Sequence, residues 1–300
     1  MRKVRVLAVI VCMMAAVNFA SADTVRGITN LDFVNIGHAG NPGDTRATYP
    51  DIANPTGGGA VGYNYRIGKY EVTNAQWNAF TAAAGAPTGS DSGYEYGAVF
   101  TGAQQPTNVV SWYGVAQFCN YLTSGDKSKG AYLFSGNNTN PGAFLEINRD
   151  AAISSYGIAY VIPTVDEWYK AAYYTGSGYS TYAFGTNIEP IAGVNSDYAY
   201  SSPWGPWDVG TGTMEQNGTY DMMGNVSEWN ETTYYGDNSF RILRGGSYLN
   251  SSGSGSSYSM IHISPTWEYY DIGFRVAEVP EPATLFLLTF GGLILRKRKA

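Results

Sequence analysis

Cysteine is almost missing from this 300-residue chain, which has only Cys12 and Cys119. Cys12 falls in an N-terminal segment laid out like a cleavable leader, so the exported chain keeps one thiol and can form no internal disulfide. Histidine is equally scarce. His38 and His262 stand far apart, neither with a second histidine at ligand spacing, which argues against a multi-histidine metal site. Of the 18 Lys and Arg, seven sit at the two ends (Arg2, Lys3, Arg5, Arg296, Lys297, Arg298, Lys299), leaving 11 against 24 acidic residues and a body charge of about −13. Nucleic acid is therefore not expected as a partner, because phosphate binding needs clustered Lys and Arg. A hydrophobic run of full membrane-spanning length is missing as well: Ala283–Leu295 would rise only about 20 Å as a helix, short of the roughly 30 Å hydrocarbon core.

What is present begins at the ends. Residues 1–22 carry a basic start, an apolar run from Val6 to Val17 and the small-residue triplet Ala20-Ser21-Ala22. That is the pattern of a secretory signal cleaved after Ala22. At the other end, Pro280-Glu281-Pro282 precedes the apolar stretch and the basic cluster. A basic end after a short apolar segment holds the C-terminus on the cytoplasmic side while the body lies outside. This three-part tail, 278–300, resembles the PEP-CTERM sorting signal of certain Gram-negative bacteria. The resemblance implies an exosortase-type membrane peptidase as partner, a transient membrane anchor with a short transmembrane segment, and an exported protein at the cell surface or outside the cell.

Between the ends, 25 Tyr and 37 Gly among many Ser and Asn point to a loop-rich fold rather than a helical bundle. Residues 23–62 read as a lead-in strand and loop, with Leu31–Ile36 as the strand, and Tyr63–Val72 alternates well enough for a second strand. Three helices are predicted. Thr73 with Gln76 forms a capping box for the first, which Gly85 stops; Ser111 caps the second, which ends at Gly125; and Thr164 with Glu167 caps the third, ending near Gly176. Beyond Gly176 the expectation is brief strands joined by long loops, anchored by Trp204, Trp207, Trp229 and Trp267.

Six blocks in order carry a second resemblance. They are Lys69–Trp77, Pro106–Leu122, Ile162–Trp168, Tyr220–Trp229, Leu243–Tyr248 and Gly273–Val276. Over roughly Phe33 to Ala277 the chain resembles the formylglycine-generating enzyme, or sulfatase-modifying factor, family. That implies an α+β, C-type-lectin-like fold over 63–277, loop-rich, with two helices and small twisted sheets. The family's oxidising members hold copper(I) on two cysteines beyond the Arg-Gly-Gly-Ser block, which suits a soft ion. In this sequence Asn250 and Gly255 fall where those thiols are expected, and no cysteine follows Cys119. Copper is accordingly not expected, and no catalytic or cofactor-binding residue is assigned. The helical spacing of Cys119 with Val115, Phe118 and Leu122 makes it a buried core thiol.

Calcium is the expected structural ion. The resemblance implies that the Gly-Asn-Val-x-Glu-Trp loop supplies oxygen ligands from Asn225, Val226 and Glu228, with a further site using Asn195 and Ser196. Ser227 departs from the aromatic residue common there. Arg244 and Arg275 are read as anchors for loop carbonyls or acids, and Gly245-Gly246 as a point of close backbone approach. The function expected is a surface-sorted binding or structural module with an extracellular polysaccharide or protein ligand. The alternative is a metal-dependent oxidoreductase of the formylglycine-generating or related non-haem iron type, working through a site no motif reveals.

Overall fold

The helices start where the sequence caps them. In the computed structural model, which describes residues 22–46, 57–89, 99–202 and 205–280, helix α1 (Asn74–Ala84) opens on the complete Thr73/Gln76 capping box and stops at Gly85. Helix α2 (Trp112–Ser124) is capped by Ser111 and closed by Gly125 in the left-handed conformation. A third helix, α3 (Arg149–Tyr156), was not predicted. It is short and buries only Ala152 and Ile153, although Asn148 caps it and left-handed Gly157 ends it. Helix α4 (Val165–Tyr173) carries the complete Thr164/Glu167 box and ends a few residues before Gly176. Four helices therefore stand among the described residues, against the two that the resemblance implied.

Helix α2 is the axis of the core. Val115, Phe118, Cys119 and Leu122 are all essentially fully buried, each apolar side chain contributing roughly 1.5–3 kcal/mol relative to exposure. Thr123 ties the helix to its neighbour without an orphan: its hydroxyl donates to Cys119 O and accepts from Tyr160 N, both at 2.9 Å.

Strand β1 (Asp23–Val25) pairs with β2 (Ile28–Leu31). The single strand expected over Leu31–Ile36 is divided at Asp32, and β3 (Phe33–Ile36) then pairs antiparallel with β4 (Tyr65–Gly68), the core of the Tyr63–Val72 segment. One four-stranded sheet runs β3-β4-β12-β7, with β7 at Ile158–Val161 and β12 at Ala277–Pro280. The lead-in segment and the last described strand thus share one sheet. Strands β5 (Tyr132–Phe134) and β6 (Phe144–Ile147) form a small hairpin beside α2.

The second half is more regular at one point than expected. Strands β8 (Ser227–Tyr234) and β9 (Asp237–Arg244) form a long hairpin whose turn residues Tyr235 and Gly236 both have positive φ, 51° and 73°. That is the primed-turn geometry matching strand twist. With β10 (Ile261–Ile263) and β11 (Ile272–Gly273) the hairpin completes a second four-stranded sheet, ordered β10-β9-β8-β11. Trp229 is a fully buried strand residue whose indole donates to Val110 O, while Trp207 and Trp267 are half-buried; Trp204 lies outside the described residues. Residues 1–21 and 281–300, and with them most of both terminal signals, also lie outside them. Among the described residues no helix is long and apolar enough to cross a membrane.

Candidate functional site

Glu228 lies in β8, and Arg275 follows β11, the parallel neighbour of that strand. The two side chains are completely buried and meet at 2.6 Å. Arg275 Nε also contacts both carboxylate oxygens, at 2.9 and 2.7 Å, and the guanidinium donates onward to Gly68 O at 3.0 Å and Tyr220 O at 2.9 Å. Trp168 Nε1 donates to Glu228 Oε2 at 2.7 Å. Both oxygens of Glu228 are therefore engaged. A buried pair of this kind is tolerable only when its remaining hydrogen-bonding capacity is filled, and here it is. The expected role of Arg275 as an anchor of carbonyls and an acid is what the structure displays.

Three further carboxylates crowd this pair, and sequence reading singled out none of them. Glu71, at the β4–α1 junction, accepts Asn225 Nδ2 at 2.6 Å and Val226 N at 3.1 Å. Burial, then the charges of Asp221 and Glu228, hold its pKa well above the usual carboxylate range. Glu215 accepts from Thr219 Oγ1 and Met222 N, both at 2.9 Å, and burial pushes it up to about 8. Asp221, held at a φ of 60° and accepting Gly210 N at 2.7 Å, is raised by burial to about 6. A clue was available in Tyr70-Glu71-Val72, an acid between the apolar end of a strand and a capped helix.

The segments bearing the candidate calcium ligands are brought together. Asn225 N donates to Asp197 O at 2.8 Å, and Ser196 Oγ donates to Met223 O. Asn225 and Asp197 are fully buried, yet Asn225 Oδ1 and Asp197 Oδ2 have no hydrogen-bond partner. Two orphaned oxygens on touching loops are what a hard cation satisfies. Glu228 fits such an ion less well, because Arg275 already neutralises it. Asn195 is spent on its own loop, accepting Ile191 N at 2.8 Å and donating to Thr213 Oγ1 at 3.1 Å. Asp197, which the sequence reading passed over, is raised by burial to about 6. No group of three or more His, Cys, Asp or Glu is placed to hold a metal among the described residues.

The positions expected for copper thiols converge elsewhere, beside Arg244. A cavity of about 70 Å³ is lined by Ser227, Arg244, Asn250, Ser254 and Ser259, among others. Arg244 donates to the carbonyls of Ser257 and Ser259, and its guanidinium lies 5.0 Å from the Tyr169 ring centre. The Gly245-Gly246 pair allows the close approach expected of it: a Cβ on Gly246 would lie 2.8 Å from Ser254 Cβ. At Gly255 a Cβ would overlap Met223 Cγ and come within 3.1 Å of Gly245 O. Asn250 accepts Ser247 N at 2.8 Å. The two expected thiol positions thus hold the amide of Asn250 and, at Gly255, a space taken by the buried Met223 side chain. Cys119 does not line this cavity; it is buried in α2, and desolvation raises its pKa well above the ordinary thiol value.

Residues 38–279 match the model of the sulfatase-modifying factor enzyme 1-like domain. A curated relative, "Chaperone protein LppX" of Paenibacillus barcinonensis, is 27% identical over 209 residues, covering 63% of this chain and 70% of its own length. Among solved structures, Treponema denticola variable protein 1 superposes with a TM-score of 0.57 at 23% identity, covering 87% of this chain and 99% of its own. CarF gives 0.58 at 23%, covering 84% and 99%, and PvdO from Pseudomonas aeruginosa gives 0.58 at 19%, covering 82% and 94%. These structural likenesses establish the fold, the loop-rich C-type-lectin-like architecture expected from the sequence.

Proposed function

The chain belongs to the sulfatase-modifying factor family, and we propose that it serves there as an exported, surface-sorted binding or structural module rather than as an oxidase of cysteine. The observation that carries this reading is the small cavity beside Arg244. Where a soft metal would need two thiolates, it offers the amide of Asn250, while the second expected position, Gly255, is not among its lining residues and has its side-chain space filled by Met223. The same frame then acts by contact, and half-buried tyrosine and tryptophan on its loops give contact area at small entropic cost. A relative named as a chaperone accords with a domain that works by contact.

In this reading the leader directs export, an exosortase-type peptidase recognises Pro280-Glu281-Pro282, and the tail anchors the chain only in passing. A structural calcium bridges the loops through Asn225 and Val226, with Asp197 supplying the nearby charge and Glu228 acting through the network rather than as a free ligand. Its chemistry is cross-linking of loops by oxygen coordination.

Metal analysis of the purified full-length protein after dialysis tests the division between module and oxidase. Calcium without redox metal supports the module, and copper or iron at one equivalent would overturn it. A pull-down against extracted surface polysaccharide should then give saturable binding.

A further inference from the structure

We infer that the cavity between the N-terminal hairpin and α1 is a binding site for one neutral sugar unit, an inference that rests on the binding-module reading and locates its contact. The cavity encloses about 300 Å³, the lower end of the range for small-molecule sites. It shares no lining residue with the Arg244 cavity, and it meets the buried network at Gly68 and at Glu71, whose carboxylate backs onto Asn225 and Val226.

Local sequence builds it. Asn30 turns the chain at a φ of 61°, and Gln76 Nε2 reaches from the first turn of α1 to Asn30 O at 2.7 Å. That bond holds the hairpin at a fixed distance from the helix. The floor is apolar, formed by the buried side chains of Leu31, Phe33, Val72 and Val276. Small residues at Gly68, Ala75 and Ala79 leave the space open. Tyr70 forms one wall, fixed by a ring contact to Tyr220 at 5.3 Å and by Gly210, where a Cβ would lie 2.5 Å from its ring.

The rim is polar and uncommitted. Among the described residues the side chains of Asn30, Asp32 and Gln104 make no internal hydrogen bond or ion pair, although each backbone carbonyl is used. Carboxamides and a carboxylate together supply both donors and acceptors, the set that pairs with adjacent hydroxyls.

Charge narrows the ligand class. Among the described residues the lining holds two carboxylates, Asp32 and Glu71, and no Lys, Arg or His. Phosphate, sulfate and carboxylate ligands would meet like charge with no counter-ion. An amine would find only the half-exposed, solvent-screened carboxylate of Asp32, because the floor is apolar and the carboxylate of Glu71 is taken by Asn225 and Val226. A neutral pyranose fits both halves, with its C–H face on the apolar floor and its hydroxyls at the rim.

The test titrates the full-length protein with the methyl glycosides of glucose, galactose and mannose, using saturation-transfer NMR, with putrescine as the amine probe. At least one glycoside should bind saturably, at least tenfold more weakly in Asp32→Ala and not at all in Ala79→Trp, while putrescine does not bind. Asp32 is half-exposed at the rim, so Asp32→Ala keeps the test valid if the Ala79→Trp protein fails to fold. Failure of all three glycosides to bind, binding unchanged in both variants, or displacement of a bound glycoside by putrescine would overturn the site. Extracted surface polysaccharide distinguishes the two readings. If the polymer still binds to a folded Ala79→Trp protein, this site falls and the module stands; if it never binds the unaltered protein, the module reading falls with it.

Discussion

Two arginines, one ending β9 and one just past β11 of the same sheet, do different work. Arg275 is paired face to face with the buried carboxylate of Glu228 and surrounded by Glu71, Glu215 and Asp221. Arg244, the register partner of Glu228 on the neighbouring strand, meets carbonyls and aromatic rings beside a cavity of about 70 Å³. The first region fixes the frame through charges that cannot be removed singly. The second holds the amide of Asn250 and the hydroxyls of Ser254 and Ser259, and in the proposed reading it is where no oxidising pair of thiols stands. Frame and reactivity are therefore separable in this fold, and function has to be argued from the site.

The largest expected effect is at the frame. Arg275→Met leaves Glu228 buried without its counter-charge and should lower stability by about 3–5 kcal/mol in urea unfolding. A loss below 1 kcal/mol would mean that the network is not what holds the sheets together. Chelation comes next. If calcium bridges the Asn225 and Asp197 loops, EGTA should remove about 2.7 kcal/mol at free calcium a hundredfold above its Kd. Calorimetry on the protein with and without EGTA reads this directly, and an unchanged unfolding curve would assign those oxygens to the polar network alone.

The Arg244 side sharpens the comparison from the other direction. Gly255→Cys forces a side chain into Met223 and should cost about 1–3 kcal/mol, an overpacking effect that Met223→Ala relieves. With Asn250→Cys added, tight copper(I) binding in a competition titration should require the Met223 truncation. Equal binding without it would show that the thioether is no obstacle.

The smallest effect at any one step is a slope. Burial raises the Glu215 carboxyl to about 8, so the folded chain holds a proton that the unfolded chain has released. Its contribution is complete below the unfolded carboxylate pKa and is lost as pH climbs through the folded value. Stability should fall between about pH 4.5 and pH 8, by at most about 1.4 kcal/mol per unit, and Glu215→Gln should flatten that part of the curve.

Much of this frame is legible in the chain because it is written locally. The Thr73/Gln76 and Thr164/Glu167 boxes and the Ser111 cap depend on neighbours three residues away, and each helix begins where its cap stands. Arg244 and Arg275 are readable for a similar reason, since apolar strand residues next to glycine leave an arginine no exit to solvent. The β8–β9 hairpin escapes notice because its turn is Tyr235-Gly236, where tyrosine accepts a positive φ that local preference would assign to asparagine or glycine. Helix α3 escapes because it is short and buries only Ala152 and Ile153, too few positions to show a helical period. Beyond the local hint at Glu71, the acid cluster could not be read: Glu71, Glu215 and Asp221 lie far apart in the chain and gather around Arg275 only when the two sheets pack. Nothing in the spacing of Asn225 and Glu228 reveals that one keeps a free oxygen while the other is bound to an arginine.

The most direct trial of the central claim uses a peptide carrying a sulfatase-type cysteine. The full-length protein, supplied with copper(I), oxygen and reductant, is incubated with that peptide and the product examined by mass spectrometry. The account predicts that the cysteine is recovered unchanged, and conversion to the aldehyde by the unaltered protein would contradict it.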